Sequence, residues 1–351
     1  MRYSLLSRFQ GTFLAAALGY ELGAYSRSRQ AIAKNRTDGS EPVAWLAASL
    51  THWHPGLGHG SALSSQPSLG GRMAISCTRT LVNPGGWHER ALVAIGKEFG
   101  ISEAETGVAT RIRSGGVLPE TIAAELTIAT LPLALFFHDD QNRQQQRLLQ
   151  TVKLWHCFPD VEAGLLAAGY AIAQALRDCL EPQTLLPQIV TYLKQSTASQ
   201  STPLPELIGT LEQTQTLVKQ GAGLYTAINQ IQIGQQQTGN EAIALAFYCF
   251  LSTPYDLRLA LLRAARCGEA APVIAALTGA LGGAYQGIGG LPLTWLATDS
   301  HLWGITDTAL HELAAHLFAA WSGVYAPAER MGVAAIAAPG VIRPRSKGDH
   351  G

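Results

Sequence analysis

Charge is what this chain lacks most. Only 14% of its 351 residues are Asp, Glu, Lys or Arg, against roughly 25% in an average soluble domain. Lys+Arg and Asp+Glu stand at 25 each, so the formal net charge is +0. Without a basic field to hold a phosphate backbone or an anionic lipid surface, nucleic-acid binding as the main task is disfavoured. Cysteine is scarce as well. The five are Cys77, Cys157, Cys179, Cys249 and Cys267, an odd number with no C-x-x-C pair, which points to reduced thiols and a cytoplasmic location. A secretory leader is poorly supported: Arg2 and Arg8 precede the apolar run Gly11 to Gly19, but Gln10 and Thr12 interrupt it, Glu21 follows closely and no small-x-small site ends it. No charged residue occurs between Glu269 and Asp299. That stretch is nevertheless rich in Ala and Gly, contains Gln286, is broken by Gly289-Gly290 and Pro292, and has acidic flanks. It reads as a buried helix of a soluble protein, with no membrane partner.

Apolar residues make up 47% of the chain and glycine supplies 36 positions. The apolar pattern is helical almost throughout, with no convincing series of alternating strands. The expected fold is all-α, a compact multi-helix single domain over residues 1–338 followed by a flexible tail at 339–351. Helices are expected at Leu5–Leu22, Pro42–Thr51, His88–Phe99, Ser102–Arg113, Pro119–Phe137, Gln141–Trp155, Val161–Leu180, Thr184–Lys194, Pro205–Gln220, Glu241–Leu251, Pro254–Arg266, Pro272–Gly287 and Asp307–Val324. Thr253-Pro254-Tyr255-Asp256 offers a capping hydroxyl, a first-position proline and an acid for the start at Pro254, and Gly268 suits its stop. His54–Gly71 and Gln195–Pro205 read as loops. Along Pro272–Gly287 and the residue before it, Ala271, Ala275, Gly279 and Gly283 recur every four residues, a smooth face that lets a neighbouring backbone approach closely.

Most local motifs fail as catalytic sets. His52, His54 and His59 cluster without a nearby Cys or Asp to complete a zinc site, so a polar loop is the better reading. His311 and His316 are five apart, which rotates them by roughly 140° on a helix and breaks the zinc-protease geometry. Asp139-Asp140 reads as a helix exit into solvent. No G-x-S-x-G elbow is present. Ser114-Gly115-Gly116 precedes a helix start, where backbone N–H groups can meet an anion.

Larger segments carry a resemblance. Thr278-Gly279-Ala280-Leu281-Gly282-Gly283-Ala284-Tyr285-Gln286-Gly287, followed by Leu291-Pro292-Leu293-Thr294-Trp295, is similar to the C-terminal signature of the ADP-ribosylglycohydrolase family. Arg8-Phe9-Gln10-Gly11 through Gly19-Tyr20-Glu21-Leu22-Gly23 resembles the family's first helix, with Gly-Tyr-Glu-Leu-Gly where Gly-Asp-Ala-Leu-Gly is usual. Leu131-Pro132-Leu133-Ala134-Leu135 resembles its mid-chain Ala-Pro-Leu-Gly helix.

The resemblance implies an all-α domain with a binuclear magnesium cleft that removes ADP-ribose from a side chain. Its metal ligands come from an early Thr-Asp-Asp and a late Asp-x-Asp-Thr. This sequence departs at both. The late motif reads Glu269-Ala270-Ala271-Pro272, and no Thr-Asp-Asp occurs; the nearest early candidate is Ser40-Glu41-Pro42-Val43. Glu269, Ala271 and Pro272 are thus vestigial metal positions, with Glu269 the remaining catalytic candidate and Glu41 or Glu21 able to add charge. Ser114, Gly115, Gly116 and Thr278 are candidates for a ligand cleft. The expected function is a non-hydrolytic binding or regulatory module for ADP-ribose, a related nucleotide or a protein partner. The alternatives are an active ADP-ribosyl hydrolase of atypical ligation and a ligand-free helical scaffold. No cofactor is expected unless hydrolysis survives, in which case it is Mg2+.

Overall fold

The computed structural model describes residues 3–34, 53, 55, 68–83, 86–101, 121–155, 159–197, 206–232, 239–296 and 300–324. The helices run in the order α1 (Leu5–Lys34), α2 (Leu69–Val82), α3 (Glu89–Glu98), α4 (Ile122–Ala129), α5 (Leu131–Phe136), α6 (Gln141–Leu154), α7 (Pro159–Leu176) and α8 (Leu185–Thr197). They continue through α9 (Glu206–Lys219), α10 (Leu224–Gln232), α11 (Asn240–Ser252), α12 (Leu257–Ala264), α13 (Ala271–Gln286), α14 (Leu293–Leu296) and α15 (Asp307–Ser322). The architecture is all-α. The strand residues among those described form one short antiparallel hairpin, β1 (His301–Leu302) with β2 (Ile305–Thr306).

The axis of the molecule is the pair α1 and α13. Both carry small residues every four positions, and the two rows mesh in antiparallel register: Gly11 meets Gly283, Ala15 meets Gly279, Gly19 meets Ala275 and Gly23 meets Ala271. The backbones touch. A Cβ on Gly279 would lie 2.1 Å from the Ala15 carbonyl oxygen, and one on Gly19 would lie 2.3 Å from that of Ala275. Glycine inside a helix costs roughly 0.5–1 kcal/mol relative to alanine, and here close backbone contact along the whole seam offsets that cost. With no proline in α1, the helix runs uninterrupted past the expected end at Leu22 to Lys34.

The other helices wrap this pair. α11, α12 and α7 cover α13, while α15 packs on α1 and α2 packs in turn on α15. One hydrophobic core runs through the described helices from Phe9 to Leu317. Cys77, Cys179, Cys249 and Cys267 are free thiols. Among the described residues, no helix is long and apolar enough to cross a membrane.

Several expected boundaries shift for local reasons. The stretch expected as one helix to Phe137 breaks at Thr130, because Pro132 in the first turn of α5 supplies no N–H to continue α4. Thr253-Pro254 does not start α12; Asp256 does, its carboxylate accepting from Leu259 N at 2.8 Å. The helix expected to reach Leu180 stops at Leu176, and Asp178 follows with φ 59°. Asp140 is a helix start rather than an exit, capping α6 through Arg143 N at 3.0 Å. The loop expected to Gly71 ends at Ser68, the N-cap of α2. The helices expected at Pro42–Thr51 and Ser102–Arg113, and the tail at 339–351, lie outside the described residues.

Candidate functional site

The late motif opens α13, and α1 determines what surrounds it. Gly268, at φ +78°, turns the chain out of α12 into a single 3-10 turn, Gly268–Ala270. Glu269 in that turn is exposed. Ala271 is fully buried, and its carbonyl lies against Gly23 of α1, as does the Cα of Pro272. In the first turn of a helix proline forfeits no hydrogen bond, so these two residues suit a tight helix seam. They offer no side-chain oxygen. A two-metal magnesium cage needs several carboxylates among its oxygen ligands, and of the four residues here only Glu269 carries one. Among the described residues no three His, Cys, Asp or Glu side chains come together to hold a metal. The late motif therefore does not fit such a cage.

Thr278 is fully buried two turns further along. Its hydroxyl donates to the Ile274 carbonyl at 2.8 Å and lies 3.3 Å from the Ala246 carbonyl, joining α13 to α11. Glu21 is half-buried on α1, and His311 and His316 sit half-buried and exposed on α15. Ser114, Gly115, Gly116, Glu41, His52, His54 and His59 lie outside the described residues.

Two buried polar centres were not anticipated. The first surrounds Glu125 of α4, 3% exposed. Its Oε2 accepts from Ser68 Oγ at 2.8 Å and from Gly70 N at 2.7 Å, while Ser68 Oγ accepts from Gly71 N at 2.9 Å. A carboxylate from one helix thus caps the N-terminus of another, where the helix dipole favours negative charge. The approach is close, since a Cβ on Gly70 would lie 2.1 Å from the Glu125 carbonyl oxygen. Burial raises the Glu125 pKa, opposed by its hydrogen bonds to Gly70 and Ser68 and by Arg72 and Arg27. Tyr20 is also raised, first by burial and then by the Glu125 charge. The signal for this centre lay in the sequence. Glu125 is the single charged residue between Ile122 and Leu135.

The second centre is His138, 3% exposed, whose ring meets Phe9 of α1 and Trp321 of α15 at 5.7 and 4.8 Å between centroids. Its Nδ1 lies 2.7 Å from the Leu135 carbonyl. Burial lowers its pKa. Nearby, Arg8 reaches the Ala175 carbonyl and pairs with Asp178, tying the start of α1 to the end of α7.

The fold is thus an all-α domain built on a meshed first and late helix, with the late motif at the start of the latter. The chain belongs to the ADP-ribosylglycohydrolase family, whose model matches residues 1–327. A solved structure described as an ADP-ribosylglycohydrolase-related protein complex shares the fold, with a TM-score of 0.53 and 17% identity over 90% of this chain and 99% of that one. No curated protein matches the chain.

Proposed function

We propose that this chain is a non-hydrolytic member of its family, a cytoplasmic binding or regulatory module for ADP-ribose, a related nucleotide or a protein partner. The observation that carries this reading is the chemistry at the start of α13. Ala271 and Pro272 stand where the family places a metal-ligating acid and a threonine, and both are spent on the seam with α1. Each missing acid removes charge that would offset the dehydration of Mg2+, an ion that gives up water reluctantly. Binding of a ribose and a pyrophosphate does not itself require that ion.

Calorimetry with ADP-ribose, with and without Mg2+, tests the reading. Binding of equal affinity in both conditions is the expected result. Tight binding that disappears on removing Mg2+ overturns it, as does release of ADP-ribose from modified arginine that is lost in Glu269→Gln.

A further inference from the structure

The turn that presents Glu269 begins at a sulfur pair. Cys249 lies in the last turn of α11 and Cys267 in the turn after α12, and their Sγ atoms stand 3.9 Å apart. Both are enclosed, at 0% and 1% exposure. Cys77 lies on α2 and Cys179 is exposed, so neither shares this arrangement. A disulfide holds its sulfurs at about 2.03–2.05 Å, so the two must close by roughly 1.9 Å. Cys267 lies in the turn after α12 rather than within a helix.

We propose that Cys249 and Cys267 form a redox modification site, a dithiol that hydrogen peroxide converts to a disulfide joining α11 to the turn before α13. The enclosure selects a small oxidant. The hydrogen bond with Cys249 and burial raise the Cys267 pKa, so the attack on one peroxide oxygen runs through its minor thiolate and is slow; the S–O bond forms, the O–O bond breaks and one water leaves. The Cys249 sulfur then attacks the Cys267 sulfur, forming S–S and breaking S–O, and a second water leaves. The two thiol protons end in the two waters. The sulfurs give up two electrons in all and the peroxide takes them. The product fixes the segment from Cys267 through Glu269 against α11, so the one acid left at the late motif sits beside a redox-sensitive staple.

The test uses the full native chain treated with hydrogen peroxide, quenched, unfolded and alkylated. Trypsin cuts at Arg258, Arg263 and Arg266, which separates the two cysteines. The expected result is a Cys249 peptide joined to the Cys267 peptide, a loss of two of the five thiols, recovery of both on reduction, and slower amide exchange across Gly268–Ala271. The joined peptide is expected to vanish in Cys249→Ala, with the circular dichroism spectrum unchanged. Alkylation of both Cys249 and Cys267 after treatment, or their separate conversion to sulfinic acids, overturns the proposal. Because the peptide map is read on the native chain, it stands even where the variant fails to fold.

Discussion

Glu125 shows how one buried side chain sets both a contact and a pH dependence. It satisfies two donors at the start of α2, yet burial raises its pKa above the ordinary 4.5. The folded state therefore holds its proton at pH values where the unfolded chain has released it. This group's contribution is fully present below the ordinary value and is lost as pH rises through the raised one. Glu125→Gln keeps an oxygen that can accept from Ser68 and Gly70 but removes the titration. In denaturant titrations from acid to neutral pH, its midpoint is expected to gain steadily on that of the parent. Parallel midpoints across the range refute this account.

The seam between α1 and α13 governs the element scale. In Gly279→Val, the new side chain starts 2.1 Å from the Ala15 carbonyl oxygen. Backbone cannot yield as a flexible side chain can, so a loss of about 3 kcal/mol is expected in chemical denaturation, at the upper end for overpacked cores. Restoring a family-like acid by Ala271→Asp meets the same wall. The carboxylate lands at a fully buried position, and a loss of about 3–5 kcal/mol is expected for an uncompensated buried charge. Millimolar Mg2+ is not expected to recover it, and rescue of the melting temperature by Mg2+ sinks the reading of this site as unable to hold the ion.

Half of this seam was legible beforehand. The four-residue spacing of Ala271, Ala275, Gly279 and Gly283 announces a close approach. The matching row in α1, Gly11, Ala15, Gly19 and Gly23, has the same spacing but sits in a run that resembles a leader. Spacing reports a smooth face and says nothing of which distant face meets it. The start of α2 was hidden because Gly70-Gly71 reads as a loop, whereas Glu125 supplies from another helix the acceptor that stabilises that end. The composition of the late motif was readable residue by residue. The tight burial of Ala271 and Pro272 was not, since it depends on Gly23.

At the scale of the whole molecule, α1 and α15, far apart in sequence, meet around His138. Phe9 near the start, and Phe318 and Trp321 near the end, enclose this region. Burial lowers the His138 pKa from the ordinary 6.5, against the opposing effects of its Leu135 hydrogen bond and Asp139, while Arg177 lowers it further. The unfolded chain thus takes up the proton first, and stability is lost as pH falls below 6.5. His138→Gln keeps a donor for the Leu135 carbonyl without that titration. Its melting temperature is expected to fall less than the parent's on acidification from neutral pH to about 5.5, a range set by the ordinary histidine value. An equal fall in both removes His138 as the cause.

The meshed pair α1 and α13 also sets an order of events at the ribosome. The first helix emerges with a glycine-lined face, and Gly11 has no partner until Gly283 has been made. Domains are synthesised at about 5–20 residues per second, so α1 spends many seconds as a bare apolar helix before its seam can close. A contact this distant along the chain is slow to form, and the nascent α1 stays open to chaperones for that whole interval.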